Sequence, residues 1–372
     1  MFRNLRFDKL FLIVVTLLIL IGLFVFTSAS FGLLTRGGAT FGNVAFNQLV
    51  LGLGGGIMAA IVLYKIPYRF WGKYSLYILI GALVLTAAVF IPGLGFAFGG
   101  ARRWLDLGPL SFQPVELLKI AVILYLATWA TSARKEMRTF FYGLMPFLIV
   151  LGITGILLIL QPDHGSLVIV ATTVIGMFIA AGGKTTHLAT MIGALGFAGL
   201  FSILTKPYVM ERITTFLNPA TDPLGASYQV RQALIAIGSG TLFGRGFGQS
   251  VQKFYYLPEP IGDSIFAVFG EEFGFVGAII IISLFLFFAW RGLHIARTVP
   301  DTFGRLVVTG IVIMIVSQAF LNMAAMLGLF PLTGIPLPFI SHGGTALAVT
   351  IASIGLVLNI SQQSTLVRRV RE

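Results

Sequence analysis

The chain has 372 residues, 57% of them hydrophobic and only 10% charged, with a formal charge of +12 and a mean hydropathy of +0.96. That composition excludes a soluble globular domain and makes the bilayer the main solvent; the basic excess reads as loops facing anionic lipid rather than as nucleic-acid binding. The absence of cysteine excludes disulfides, a thiolate nucleophile and Cys-based metal sites, and the four histidines (His164, His187, His294, His342) lack zinc-ligand spacing.

A bilayer core needs roughly 20 apolar residues per helix. Ten segments meet that length: 10–31, 45–64, 74–91, 114–131, 143–160, 165–182, 186–204, 263–290, 305–329 and 341–361. The expected fold is therefore an all-α integral membrane protein of ten spans, a single polytopic domain over 1–372, with a long outer loop at 205–262 between spans seven and eight. The first segment follows Arg3, Arg6 and Lys9 and has the look of a signal peptide. It is read as an uncleaved anchor, because its apolar run is long and its removal would leave an odd number of spans. With the N-terminus in the cytoplasm, 16 of the 25 Lys and Arg fall on the inner side, which favours that orientation and places both termini inside.

Two outer segments are long, 92–113 and 205–262. Loops beyond roughly 12–15 residues are usually functional or disordered. The second contains a short helical pattern at Tyr228–Ile237, with Val230, Ala233, Leu234 and Ile237 on one side, and reads as ordered. No tandem or inverted repeat is visible, which weakens a repeat-built transporter.

The unusual polar residues gather at the outer ends of the spans. Pro114 suits a first helical position. Glu116 and Lys119 lie three apart on one face of that helix, Lys119 about 7.5 Å below Pro114. Two readings stand: a structural ion pair, or a cationic site inside a cavity. Asp163, in the turn Gln161-Pro162-Asp163-His164, is either a helix cap or a cavity carboxylate. His164 is assigned no role.

Leu257–Glu272 places four of the 13 carboxylates, Glu259, Asp263, Glu271 and Glu272, where the long loop meets an apolar span. An ionisable group there is expensive and often functional. Asp263 is either the N-cap of the span or a general base; capping lowers its pKa, whereas catalysis near neutrality needs it raised by desolvation. Glu271 and Glu272 point to different helix faces, so at most one shares a cavity with Asp263. The last outer turn, Gly334–Thr345, holds Ser341 and two glycines that suit either an anion or close helix packing.

These blocks in this order resemble the SEDS family of cell-wall proteins. The matches are GARRWLDLG at 100–108, FQPVELLKIA at 112–121, QPDHGS at 161–166, NPATDPLGASYQ at 218–229, the long run at 244–277 around Asp263, and GIPLPFISHGG at 334–344. The block GQSVQKFYYLPEP at 248–260 is closer to division-type than to elongation-type members. Val115, His164, Ile261-Gly262 and His342 depart from the usual pattern, but no charged position is lost.

The resemblance implies a peptidoglycan glycosyltransferase that polymerises lipid II on the outer face of the membrane, at the septum. Its implied partners are a class B penicillin-binding protein transpeptidase and other divisome proteins. Asp263 takes the essential aspartate's place, and Glu116, Lys119 and Asp163 match cavity residues. Arg102, Gln113, Lys253, Glu259 and Ser341 complete the candidate substrate-binding set, with Arg103, Arg212, Arg231 and Arg245 as further cations. A divalent cation, Mg²⁺ or Mn²⁺, would bridge the substrate pyrophosphate; no organic cofactor is expected. An elongation-type polymerase, a lipid II flippase and a non-enzymatic scaffold are the rival readings.

Overall fold

Most of each of the ten apolar segments is helical, in keeping with the cost of unpaired backbone in hydrocarbon. The computed structural model describes residues 7–35, 41–98, 101–106, 111–218 and 227–371. Parts of two motif blocks, 100, 107–108 and 219–226, and the basic residues Arg3 and Arg6, lie outside the described residues.

In chain order, α1 covers Lys9–Ser30, α2 Phe41–Phe46, α3 Gly56–Lys65, α4 Tyr68–Lys73 and α5 Ser75–Ala88. Then come β1 Gly95–Phe98, β2 Ala101–Asp106 and β3 Ser111–Phe112. The rest is helical: α6 Pro114–Ser132, α7 Met145–Leu160, α8 His164–Ala180, α9 Thr185–Thr205, α10 Pro207–Leu217, α11 Tyr228–Ser239, α12 Gln252–Tyr255, α13 Ile265–Thr298, α14 Thr302–Met326 and α15 Gly344–Arg371. A π-helical stretch, Asn47–Gly55, joins α2 to α3 within one span. Among the described residues, eight helical runs are long and apolar enough to cross a membrane; α5 and α8 are shorter apolar helices.

The 92–113 segment differs from the expected loop. It forms a three-stranded antiparallel sheet in the order β1-β2-β3. Pairing between its own strands satisfies backbone groups that an irregular loop would leave to water. The 205–262 segment is likewise more ordered than a loop with one helix. It holds α10, which begins at Pro207 in the position that suits proline, together with α11 and α12. On α11 the buried residues are Ala233 and Ala236, while Leu234 is exposed, so the burying stripe is rotated from the expected one.

Helix α14 is the centre of the bundle, packing against α13, α8 and α6. Helix α13 is not a continuous rod. At Gly274 the backbone takes φ 65, a left-handed value that glycine tolerates. There the 241–246 segment docks: Phe275 N donates to Thr241 O at 2.9 Å, Val276 N to Leu242 O at 3.0 Å, and Arg245 N to Glu271 O at 3.0 Å. A Cβ on Gly274 would sit 2.4 Å from Gly244 N, so close approach and dihedral both require glycine.

Candidate active site

After α14 the chain runs without regular secondary structure from Pro331 to Leu337 before turning at Pro338–Ile340 into Ser341. Non-helical backbone at a membrane protein's apolar end must find partners within the protein. Here several backbone groups are met by side chains, from α10, from α14 and from Ser341 at the segment's own end. Arg212 on α10 donates to Leu332 O. Asn322 on α14 donates to Ile335 O at 2.8 Å, and Gln318, one turn earlier, to Pro336 O at 3.0 Å. Ser341 Oγ accepts from Leu337 N at 2.8 Å. The start of α8 packs against the same segment: a Cβ on Gly165 would lie 2.9 Å from Thr333 O.

Asp263 is carried by the opposing turn. Gly262 N and Ser264 N both donate to Glu259 O, at 3.1 and 3.2 Å. Glu259 (φ 44) and Phe339 (φ 66), one in each turn, take left-handed backbone conformations uncommon for such residues. Such strain concentrates at functional sites. The two turns are stitched by Ser341 Oγ donating to Gly262 O at 2.7 Å and His342 N donating to Ile261 O at 2.7 Å. Gln48, from the π-helical stretch, holds the other side, its Nε2 donating to Ser341 O at 3.2 Å and its Oε1 accepting from Gly343 N at 3.1 Å.

The capping reading of Asp263 is not what the geometry shows. The N-cap of α13 is Ser264, and its side chain makes no capping bond. Asp263 Oδ1 is buried without a hydrogen-bond partner. Burial pushes this carboxyl up to about 6, helped by the negative charge of Glu259; the Gln229 amide and the Arg212 guanidinium pull it back. A base with that pKa is ionised at neutral pH yet basic enough to take a proton from a hydroxyl.

Lys119 Nζ lies 2.8 Å from Glu116 Oε2 and donates to Gln318 Oε1 at 2.9 Å, with both ions of the pair almost fully buried. Gln318 passes this arrangement on to Pro336 O. The pair therefore acts as a strut on the 332–341 segment, whose Gly334 adjoins Asp263: a Cβ there would be 3.9 Å from Asp263 Oδ2. Asp163 caps α8, its Oδ1 accepting from Ser166 N at 3.2 Å and lying 3.8 Å from Arg103, while its Oδ2 is buried without a partner. Gln113 precedes α6, and its backbone N donates to Thr345 Oγ1 at 3.4 Å.

Two candidates stand elsewhere. Arg102 is exposed on β2; successive strand residues face opposite ways, and it is Arg103 that reaches the carbonyls of Gln161 and Pro162. Lys253 is fully buried against Glu272 at 2.6 Å and Ser28 at 2.8 Å, tying α12 to α13 and α1. Glu271 binds Ser250 Oγ at 2.6 Å and Val251 N at 3.0 Å. Neither glutamate is hydrogen-bonded to Asp263. Sequence reasoning missed Gln318, Asn322 and Gln48. The signal for the first two was present: two amides four apart in an otherwise apolar helix share a face and need partners there.

A divalent cation fits this site only as one shared with substrate. Among the described residues no three His, Cys, Asp or Glu gather as a metal cage. Glu259, whose charge acts on Asp263, is the carboxylate that would hold one there, since Mg²⁺ takes one or two carboxylates plus phosphate oxygens.

The chain as a whole has recognisable relatives. A family model described as cell cycle protein, FTSW_RODA_SPOVE, matches residues 8–366. The chain is 38% identical over 366 residues to stage V sporulation protein E of Bacillus subtilis, covering 96% of this chain and 97% of that protein. It is 36% identical over 364 residues to a probable peptidoglycan glycosyltransferase FtsW of Trichlorobacter lovleyi, covering 97% and 94%. Among solved structures it is similar to a chain of a peptidoglycan synthase complex that coordinates polymerisation and crosslinking, with TM-score 0.80, 28% identity, and coverage of 97% and 99%.

Proposed function

From its membership of the FtsW/RodA/SpoVE family of cell cycle proteins, which the match over residues 8–366 establishes, we propose that this membrane protein is a peptidoglycan glycosyltransferase of the FtsW type. Asp263 is the observation that carries the mechanism: a carboxylate with one buried, unpartnered oxygen, held by its backbone and raised to about 6. The acceptor sugar's hydroxyl gives its proton to Asp263 as its oxygen bonds to the anomeric carbon of the donor. The bond from that carbon to the diphosphate breaks, and its electron pair leaves on the diphosphate. A bound divalent cation would stabilise that departing charge, held by Glu259 with the phosphates and leaving Asp263 free as the base.

The substrate in this reading is lipid II, with its head group at the outer face and its polyprenyl tail among the helices. A class B penicillin-binding protein is the proposed transpeptidase partner, in keeping with the synthase complex that the fold resembles. The septum, with other divisome proteins, is the proposed site of action, and both termini are proposed to be cytoplasmic. The flippase reading needs a polar path across the bundle. Instead Thr173, Thr309 and Thr350, between the two ends, spend their hydroxyls on their own helix carbonyls.

The test is glycan-chain formation from purified lipid II by the protein with and without its transpeptidase partner. Polymer is expected with the wild type and not with Asp263→Asn. No polymer from the wild type with its partner present would overturn the assignment.

A further inference from the structure

Beside Asp263 lies a second feature that the reaction as described does not use. A cavity of about 310 Å³ opens between α10, α11 and the segment after α14. That volume falls at the lower end of the roughly 300–1,000 Å³ of small-molecule sites. Arg212 from α10 and Arg231 from α11 both line it. So do Ser227 and Gln229, at the start of α11. Ser227 is the N-cap of that 12-residue helix, yet its side chain makes no capping bond. It is fully buried, and its Oγ has no partner. Apart from Thr215 and Glu211 the remaining wall is apolar, including Leu234, Leu327 and Phe330. One acidic residue, exposed Glu211, also lines the cavity, so cations outnumber anions there.

The cavity is coupled to the candidate base. Gln229 lines it and donates through Nε2 to Ser264 Oγ at 3.0 Å, next to Asp263. Arg212 lines it and also holds Leu332 O of the segment that adjoins Asp263.

We propose that this cavity is the diphosphate subsite of the lipid-linked sugar, with Arg212, Arg231, Ser227 and the first N–H groups of α11 as its phosphate ligands. This rests on the glycosyltransferase reading. Two guanidinium groups from separate helices match two phosphoryl groups, since each presents a planar fork to phosphate oxygens. The start of a helix adds backbone N–H groups and the positive end of its dipole. A hydroxyl that is buried, unpartnered and not used as a cap is a donor waiting for an acceptor. The apolar wall takes the hydrocarbon next to the phosphates. In this arrangement the cation Lys119, already bound to Glu116 and Gln318, is not a phosphate ligand.

The experiment measures binding of farnesyl diphosphate to the full detergent-solubilised protein. Farnesyl monophosphate, inorganic pyrophosphate and phosphatidylglycerol serve as competitors. The wild type should prefer the diphosphate to the monophosphate. Arg231→Gln should weaken binding about tenfold or more, the loss expected of one charge-assisted contact. Ser227→Ala should weaken it with no change in melting temperature, because that hydroxyl has no partner inside the protein. Arg134→Gln, in the turn past the far end of α6, should bind as wild type. Inorganic pyrophosphate should compete, but more weakly than the lipid diphosphate. Unchanged affinity in both Arg231→Gln and Ser227→Ala would overturn the subsite. Equal displacement by phosphatidylglycerol would overturn its assignment to a diphosphate in favour of an ordinary lipid phosphate. If the wild type polymerises lipid II and Arg231→Gln binds and polymerises equally well, the subsite fails while the glycosyltransferase reading stands.

Discussion

Asn322 holds Asp263 by its backbone and leaves its carboxylate untouched. The Asn322 amide donates to Asp263 O and to Ile335 O, each at 2.8 Å, and so joins the two turns that face each other across the site. A side-chain bond to the carboxylate would lower its basicity; a backbone bond fixes its position without that cost. Asn322→Ala should therefore leave two carbonyls short of a donor, at about 1–3 kcal/mol for each group left unsatisfied. The expected signature is a lowered kcat with KM changed much less. A normal kcat in a folded Asn322→Ala protein would remove its positioning role.

Asp263 itself makes a pH prediction. As a base it must be ionised, so polymerisation should rise with pH through an acid limb near 6, and the limb should be absent from any residual activity of Asp263→Asn. The loss in that variant should be about 10²–10⁴-fold, as for other general bases. Stability runs the other way. The folded-state pKa is raised, so the stabilising effect of the protonated carboxyl is fully present below about 4, its ordinary range, and is lost as pH rises through about 6. Asp263→Asn should flatten that trend. A wild-type profile with no acid limb between pH 5 and 7 would contradict the assignment.

Glu116 and Lys119 should behave as one unit. Glu116→Gln leaves a buried ammonium with only the Gln318 amide and should cost about 3–5 kcal/mol. The charge swap, Glu116→Lys with Lys119→Glu, restores the pair at the same spacing and should recover much of the melting temperature. Activity should recover less, because a carboxylate now faces Gln318. Single variants that melt and polymerise like the wild type would reduce the pair to an incidental contact.

Lys253 separates a structural from a substrate-binding role. Its ammonium is fully buried against Glu272, so Lys253→Met should strand that carboxylate and lower the melting temperature, by about 3–5 kcal/mol of stability. Adding Glu272→Gln should restore most of it, and activity should follow stability in both. A Lys253→Met protein with normal melting and weakened substrate binding would return Lys253 to the substrate.

Orientation can be read by labelling, since the chain has no native cysteine. A cysteine replacing Phe243 should react with an impermeant thiol reagent from outside, and one replacing Lys135 only after the membrane is opened. Both positions are exposed on the protein. The opposite pattern would invert the topology inferred from the distribution of Lys and Arg.

The ten apolar stretches, the asymmetry of basic residues and the placing of Glu116, Asp163 and Asp263 at span ends all follow from the chain alone. Hydrophobic length and the cost of charge in lipid act locally, so they are legible residue by residue. What the fold decided is which groups meet. Lys253 and Lys119 look alike in sequence, each a lysine near carboxylates, yet one is bonded to Glu272 and Ser28 and the other to Glu116 and Gln318. Arg102 and Arg103 are neighbours whose places are set by the strand's two-residue alternation. Whether Asp263 would cap α13 or stand free was open, because residue type permits both. The choice fell to Asn322 and Ser341, 59 and 78 positions further on, which hold the backbone of Asp263 and Gly262 and leave Oδ1 buried and unpartnered. Long-range hydrogen bonds to backbone carbonyls leave no periodic trace in a sequence, and so only the tertiary structure shows them.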